Sequence, residues 1–385
     1  MINNFAPQNN IGCIYRAEVK YIEEKYQILS DNDDVVNEIS ETLLPFIMIK
    51  RTNEILKNNL MSIFLISKEI NSGNIMAEIE NEGENIIIDT SLYKDLSSNG
   101  KKIRYEDGYL IYISKTKSIF DFNFKAKRIS LYNSEKNLLV RDAVRIIKSI
   151  ISIDCEIKGQ IILHASGVVL NQDEAILFLG DSRNGKTSIL LETLTKFDAD
   201  MLSCDTSVLR IEKNQLIAQG WPSNFSISFG TMHDYADLYQ FIPQDKRKIT
   251  YNDAWHIYDK HVLNTNQVIS ALKTNILPIG KVSTLICLNF TLTSKVQLIE
   301  IVDYDDVENW IKKIYLGSRD PLYPNWHKFH EISDAQISAN IQNVSRFIVN
   351  NGIKVYQMDW APGPEQLLKQ LDNMILYNKN VQHLA

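Results

Sequence analysis

AILFLGDSRNGKTSILLETL, residues 175–194, passes from an apolar run through a polar, glycine-bounded loop into a helical pattern. Gly180, Gly185, Lys186 and Thr187 satisfy G-x-x-x-x-G-K-S/T, and the motif lies between a buried-strand pattern (AILFL) and a helix pattern (TSILLETL), as it must. Glycines let the backbone turn its N–H groups towards phosphate oxygens, the lysine reaches β- and γ-phosphates, and the Thr187 hydroxyl suits Mg²⁺. The helix N-terminus adds partial positive charge. The expected nucleotide-binding segment is therefore Gly180, Asp181, Ser182, Arg183, Asn184, Gly185, Lys186, Thr187 and Ser188, with Thr187 also a metal ligand.

Downstream, DMLSCDTSVLRI carries a strand from Met201 to Asp205 and then a second alternating run. A carboxylate at a strand end beside a phosphate loop can hold Mg²⁺ or accept the proton of an attacking hydroxyl, which makes Asp205 a catalytic and metal-ligating candidate. Asp200 competes for the role, and a plain turn is the other reading of Asp205. Upstream, His164 in ILHASGVVL reads as a strand-borne histidine. It is either a hydrogen-bonded core residue or a catalytic candidate turned to the phosphates or the carboxylate, where its charge would respond near neutral pH. Arg183, the cluster Asp245 to Lys248 (DKRK), Lys281 and Arg319 could neutralise a transferring phosphoryl group, though each also reads as a solvated surface charge.

Around this centre, 385 residues allow two lobes. The first part mixes strand and helix signals: CIYRAEVKYI alternates, DVVNEISETLLPFI is helical, and KKIRYEDGYLIYIS is a hairpin pattern about Asp107-Gly108. It is expected to be an α+β lobe over 1–135 that either recognises the acceptor or supports assembly. RDAVRIIKSIISI then begins an α/β region, 136–385, in which QIILHASGVVL, EAILFLG, DMLSCD and VSTLICLNFTL read as buried strands. TSILLETLTKF, DVENWIKKIYL, DAQISANIQNVSRFIVNNG and GPEQLLKQL read as helices, with IKVYQMDW a late strand.

A net charge of −6 offers no general attraction to nucleic acid or anionic lipid, and no apolar run reaches bilayer length. MINNFAPQNN has neither a basic head nor an apolar segment, which points to the cytoplasm. Cys13, Cys155, Cys204 and Cys287 are scattered without a C-x-x-C pair and read mostly as free thiols.

LHASGVVLNQDEAILFLGDSRNGKTSILLETL followed by MLSCDTSVLRI resembles the HPr kinase/phosphorylase-related kinases, in which a His-bearing strand, a hairpin, the phosphate loop and a strand ending in an acidic pair come in this order. GWPSNFSIS and ILPIGKVSTLICL resemble later segments of the family's smaller relatives, many associated with peptide and cofactor biosynthesis. The resemblance implies a P-loop nucleotide-binding domain of phosphoenolpyruvate-carboxykinase-like type, ATP with Mg²⁺, and phosphorylation of a hydroxyl, typically serine, on a peptide or protein acceptor. Lys186 and Thr187 match the loop's phosphate and metal residues, His164 the strand histidine, and Asp205 one member of the acidic pair. Cys204 stands where the pair has its other carboxylate, and the family's glycine-rich second signature is missing. A small-molecule kinase and a nucleotide-gated regulatory module stay open, as does a homo-oligomer.

Overall fold

The computed structural model describes residues 15–53, 61–68, 73–88, 98–171, 173–257, 260–290, 297–317, 329 and 331–360. The chain is mixed α/β and divides into two compact units, Met1–Lys158 with Gly317–Ser333 and Gly159–Leu316 with Asp334–Ala385. Cys13, Arg319 and the GPEQLLKQL segment lie outside the described residues.

The first unit contains β1 (Tyr15–Tyr21), β2 (Glu24–Ser30), α1 (Asp33–Leu43), β3 (Met48–Arg51), β4 (Ser62–Ile66), α2 (Gly73–Glu82), β5 (Glu84–Ile88), β6 (Ser98–Tyr105), β7 (Gly108–Ile113), β8 (Ser118–Asn123), β9 (Arg128–Tyr132) and α3 (Lys136–Ile157). Its sheet runs β3-β1-β2-β4-β9-β8-β7-β6-β5. Asn32 caps α1 by accepting from the Asp34 N–H, and Asp33 and Asp34 lie at the positive end of the helix.

The β6–β7 hairpin forms one residue earlier than its sequence suggests. Tyr105 pairs with Gly108, so Glu106 and Asp107 make the turn. Gly108 is needed for a different reason: a Cβ there would lie 1.8 Å from the Phe122 carbonyl oxygen of β8. In α3, which opens the expected 136–385 region, residues are buried on more than one face, among them Leu139, Ala143, Ile147 and Ile150 but also Asp142, Asp154 and Glu156. It packs on α1, β4 and β9 of the first unit. Ser118 donates to Asp142 (2.7 Å) and Tyr26 to Asp154, so these buried carboxylates are partnered.

The second unit contains β10 (Ile161–Leu163), β11 (Ala165–Leu170), β12 (Glu174–Leu179), α4 (Lys186–Lys196), β13 (Ala199–Ser203), β14 (Ser207–Glu212), β15 (Gln215–Gly220), β16 (Phe225–Ser228), α5 (Phe229–Asp234), α6 (Ala236–Tyr239), α7 (Tyr251–His256), β17 (Lys260–Leu263), α8 (Thr265–Leu272), β18 (Ile279–Phe290), β19 (Gln297–Glu300), α9 (Tyr304–Ile314), α10 (Asp334–Asn350) and β20 (Lys354–Trp360). The main sheet runs β10-β14-β15-β18-β12-β11-β13, with β20 also on β18 and β19 on β20. β12, β18 and β20 are parallel, and β16 and β17 form a separate antiparallel ribbon.

Two registers decide what meets what. Ala165 at the start of β11 pairs with Leu179 at the end of β12, and Gly167 pairs with Ser203 at the end of β13. One edge of the sheet therefore gathers the residue before β11, the loop after β12 and the turn after β13. The apolar run QIILHASGVVL is two strands rather than one: β10 pairs with β14, β11 with β12 and β13, and His164 is the break between them. Both halves are buried, so hydrophobicity alone did not reveal the division. Cys155, Cys204 and Cys287 are buried thiols outside any disulfide.

Candidate active site

The loop between β12 and α4 is held from both sides. Asn184 donates through Nδ2 to the Leu288 carbonyl of β18 (3.1 Å), and its N–H donates to the Asp181 carbonyl (3.2 Å). Gly180 is closely surrounded: a Cβ there would lie 3.1 Å from Asn184 Cβ and 3.3 Å from the Leu288 oxygen, so its neighbours would have to give by a few tenths of an ångström. Arg183 and Gly185 turn through left-handed backbone, φ 74° and 85°, which is strained for the arginine and easy for the glycine. α4 then starts at Lys186.

Lys186 is only 5 % exposed, and its Nζ donates to the Gly180 (2.7 Å) and Asp181 (3.1 Å) carbonyls. Burial holds this ammonium down at about 8, against the favourable charge of Asp205. Thr187 and Ser188 are partly exposed on the first turn, and Ser188 Oγ shares a hydrogen bond with Thr231 Oγ1 at 3.0 Å.

His164 is pinned through its backbone: its N–H donates to the Ile314 carbonyl at the end of α9 (2.8 Å) and its carbonyl faces the Gly180 N–H (3.5 Å). Its Nε2 lies 3.0 Å from Asp205 Oδ1. Asp205 sits on a turn fastened by buried hydroxyls. Ser203 and Ser207 share a hydrogen bond (2.6 Å), and their hydroxyls lie 3.3 and 3.2 Å from the Ala165 carbonyl, which accepts from the one whose proton is left free. The Asp205 carboxyl is held below the usual carboxylate range. Desolvation works the other way, but the His164 hydrogen bond and the charges of His164, Lys186 and Lys260 outweigh it. An ionised carboxylate only accepts, so His164 Nε2 is the donor.

Cys204 turns away from this cluster. It is 2 % exposed and donates through Sγ to the Ser223 carbonyl (3.3 Å). Asp200 lies inside β13, in register with Val169, rather than at the strand end. Lys281 pairs in register with Glu174 at the start of β12, the end remote from the loop. Arg247 of the DKRK cluster donates to the Ile242 (2.9 Å) and Gln240 (2.6 Å) carbonyls and closes its own turn.

Two cations that the sequence reading passed over join the site. Lys313 of α9 pairs with Asp181 (3.3 Å) and lies 4.8 Å from the centroid of the Trp310 ring. Lys260, the first residue of β17, is close enough for its charge to act on Asp205, Lys186 and Arg183. Neither stands in a motif, and nothing local marked them.

No family model matches the chain, and no curated protein matches it. Among solved structures, the Hpr(Ser) kinase/phosphatase from Coxiella burnetii aligns with 58% of this chain and 99% of its own, at 13% identity and a TM-score of 0.28. The relation is weak. Among the described residues no helix is long and apolar enough to cross a membrane.

Proposed function

We propose that the second unit is an ATP-dependent phosphotransferase of the P-loop, HPr-kinase-like type that passes the γ-phosphoryl group to a hydroxyl, that of a serine on a peptide or protein acceptor. The observation that carries this reading is the 3.0 Å contact of His164 Nε2 with Asp205 Oδ1, formed within electrostatic reach of the buried Lys186. A loop that merely turned from strand to helix would have no reason to bury a lysine within electrostatic reach of an ionised carboxylate.

In this mechanism the Gly180–Ser188 backbone and Lys186 cradle the phosphates. Asp205 accepts a hydrogen bond from the acceptor hydroxyl and aims its oxygen at phosphorus. That oxygen bonds to phosphorus as the bond to the β–γ bridging oxygen breaks, ADP leaves, and the hydroxyl proton passes to Asp205. A carboxylate held below its usual range is a weak base, but a loose, metaphosphate-like transition state asks for aim more than for early deprotonation. His164 fixes the carboxylate's direction.

Among the described residues no group of three or more His, Cys, Asp or Glu forms a metal cage. Mg²⁺ takes one or two carboxylates and fills its other positions with water and phosphate, so Thr187 and the half-exposed Asp205 fit a cation that arrives with nucleotide. When bound, it would neutralise charge on the phosphate oxygens. The burial of Cys204 against Ser223 leaves Asp205 without a second carboxylate and favours one alternative, a nucleotide-gated module without transfer. Incubation with ATP, Mg²⁺ and candidate peptides, serine-bearing ones first, separates them. Acceptor-dependent ADP release with an added phosphate mass supports the kinase. ATP binding without either supports the module, and release with only free amino acids or sugars supports a small-molecule kinase.

A further inference from the structure

The β16–β17 ribbon stands apart from the main sheet, yet it is tied to the site at both ends. Ser228, the last residue of β16, shares a hydrogen bond with Thr231 Oγ1 (2.8 Å), which in turn meets Ser188 Oγ on the first turn of α4 (3.0 Å). At the other end the Ser223 carbonyl accepts from Cys204 Sγ (3.3 Å), beside Asp205, and from Thr265 Oγ1 (2.8 Å), just after β17. The ribbon is thus strung between the helix that ends the phosphate loop and the turn that carries the carboxylate. Lys260 lies directly across from Ser228 in the ribbon, at the end tied to α4.

We infer that Lys260 contacts the terminal phosphate of a nucleoside triphosphate at this site and so separates triphosphate from diphosphate. The inference rests on the reading of the Gly180–Ser188 loop as a phosphate cradle. Lys186 already spends two donors on the Gly180 and Asp181 carbonyls, and Lys313 is engaged by Asp181 and Trp310. Lys260 is exposed, and its charge reaches Asp205, where an acceptor oxygen would meet phosphorus. A mobile point charge on a long stem suits a group that is present in one nucleotide and absent from the next. The same charge would stabilise the equatorial oxygens during transfer.

The test is calorimetric titration of the full chain with ATP and with ADP, each with Mg²⁺, for wild type, Lys260→Met and Lys260→Arg, with thermal denaturation confirming that each variant is folded. Loss of a charge-assisted contact should weaken ATP binding by roughly ten-fold or more in Lys260→Met while leaving ADP binding within about two-fold. Lys260→Arg should keep most of the ATP preference. Equal weakening of both nucleotides, or no change in either, overturns the role of Lys260 while leaving the phosphate cradle intact. A wild-type chain that binds neither nucleotide overturns the cradle itself, and this inference with it.

Discussion

Lys186→Met should make the nucleotide-free protein more stable at neutral pH while abolishing nucleotide binding. Methionine keeps most of the volume of the lysine stem and removes the charge. Burial lowers the ammonium from its ordinary 10.5 to about 8, which at 1.36 kcal/mol per pH unit is a penalty of about 3 kcal/mol carried by the folded state. Removing the side chain also forfeits its hydrogen bonds to the Gly180 and Asp181 carbonyls, together about 2 kcal/mol. The variant should therefore gain about 1 kcal/mol at pH 7. The balance then turns with pH. Because the folded-state value lies below the unfolded one, the unfolded chain holds the proton longer between pH 8 and 10.5, and wild-type stability rises through that window as the penalty is relieved. By pH 10.5 the methionine variant should be the less stable of the two, by about 2 kcal/mol. Guanidinium transitions followed by tryptophan fluorescence, to which the buried Trp221 contributes, measure the difference at each pH, and groups common to both proteins cancel. A variant less stable than wild type at pH 7, with a difference that stays flat from pH 8 to 10.5, would refute the assignment of Lys186 as a buried, penalised cation.

Asp205→Asn should cut phosphoryl transfer by about 10²–10⁴ with ATP affinity largely kept, as calorimetry and ADP release would report; a normal rate at ordinary Mg²⁺ removes Asp205 from the reaction. Since its carboxyl is held below the usual range, the wild-type rate should persist as pH falls through about 4 and fail only beneath it, with any stability it contributes present above that range and lost below. Cys204→Asp, which writes the acidic pair back in, should destabilise the fold by a few kcal/mol, because it presses a buried carboxylate against the Ser223 carbonyl oxygen. A variant with an unchanged melting temperature and higher turnover would contradict that. Ser203→Ala should cost about 1–2 kcal/mol and lower kcat with nucleotide affinity unchanged, since it loosens the turn that aims Asp205; kcat at the wild-type value would show that the turn holds itself.

The strand, loop and helix around Gly180–Thr187 were legible because everything that defines them is contiguous: an apolar run, glycines at fixed spacing, then helical periodicity. The same holds for α9, α10 and β20, whose patterns are local. The turn at Glu106-Asp107 was misjudged by one residue because glycine has two uses, and only the approach of Phe122 shows which one applies to Gly108. His164 and Asp205 were each visible as candidates, but they are 41 positions apart, and their contact exists because β11 lies antiparallel between β12 and β13. Lys260 and Lys313 carried no signal at all. A lysine on a short strand or in the last turn of a helix reads as a solvated charge, and its nearness to the loop depends on where the β16–β17 ribbon and α9 are fastened. Local chemistry, the phosphate loop, could be read from order and spacing; the charges arranged around it depend on strand pairings between segments far apart in the chain, which periodicity does not encode.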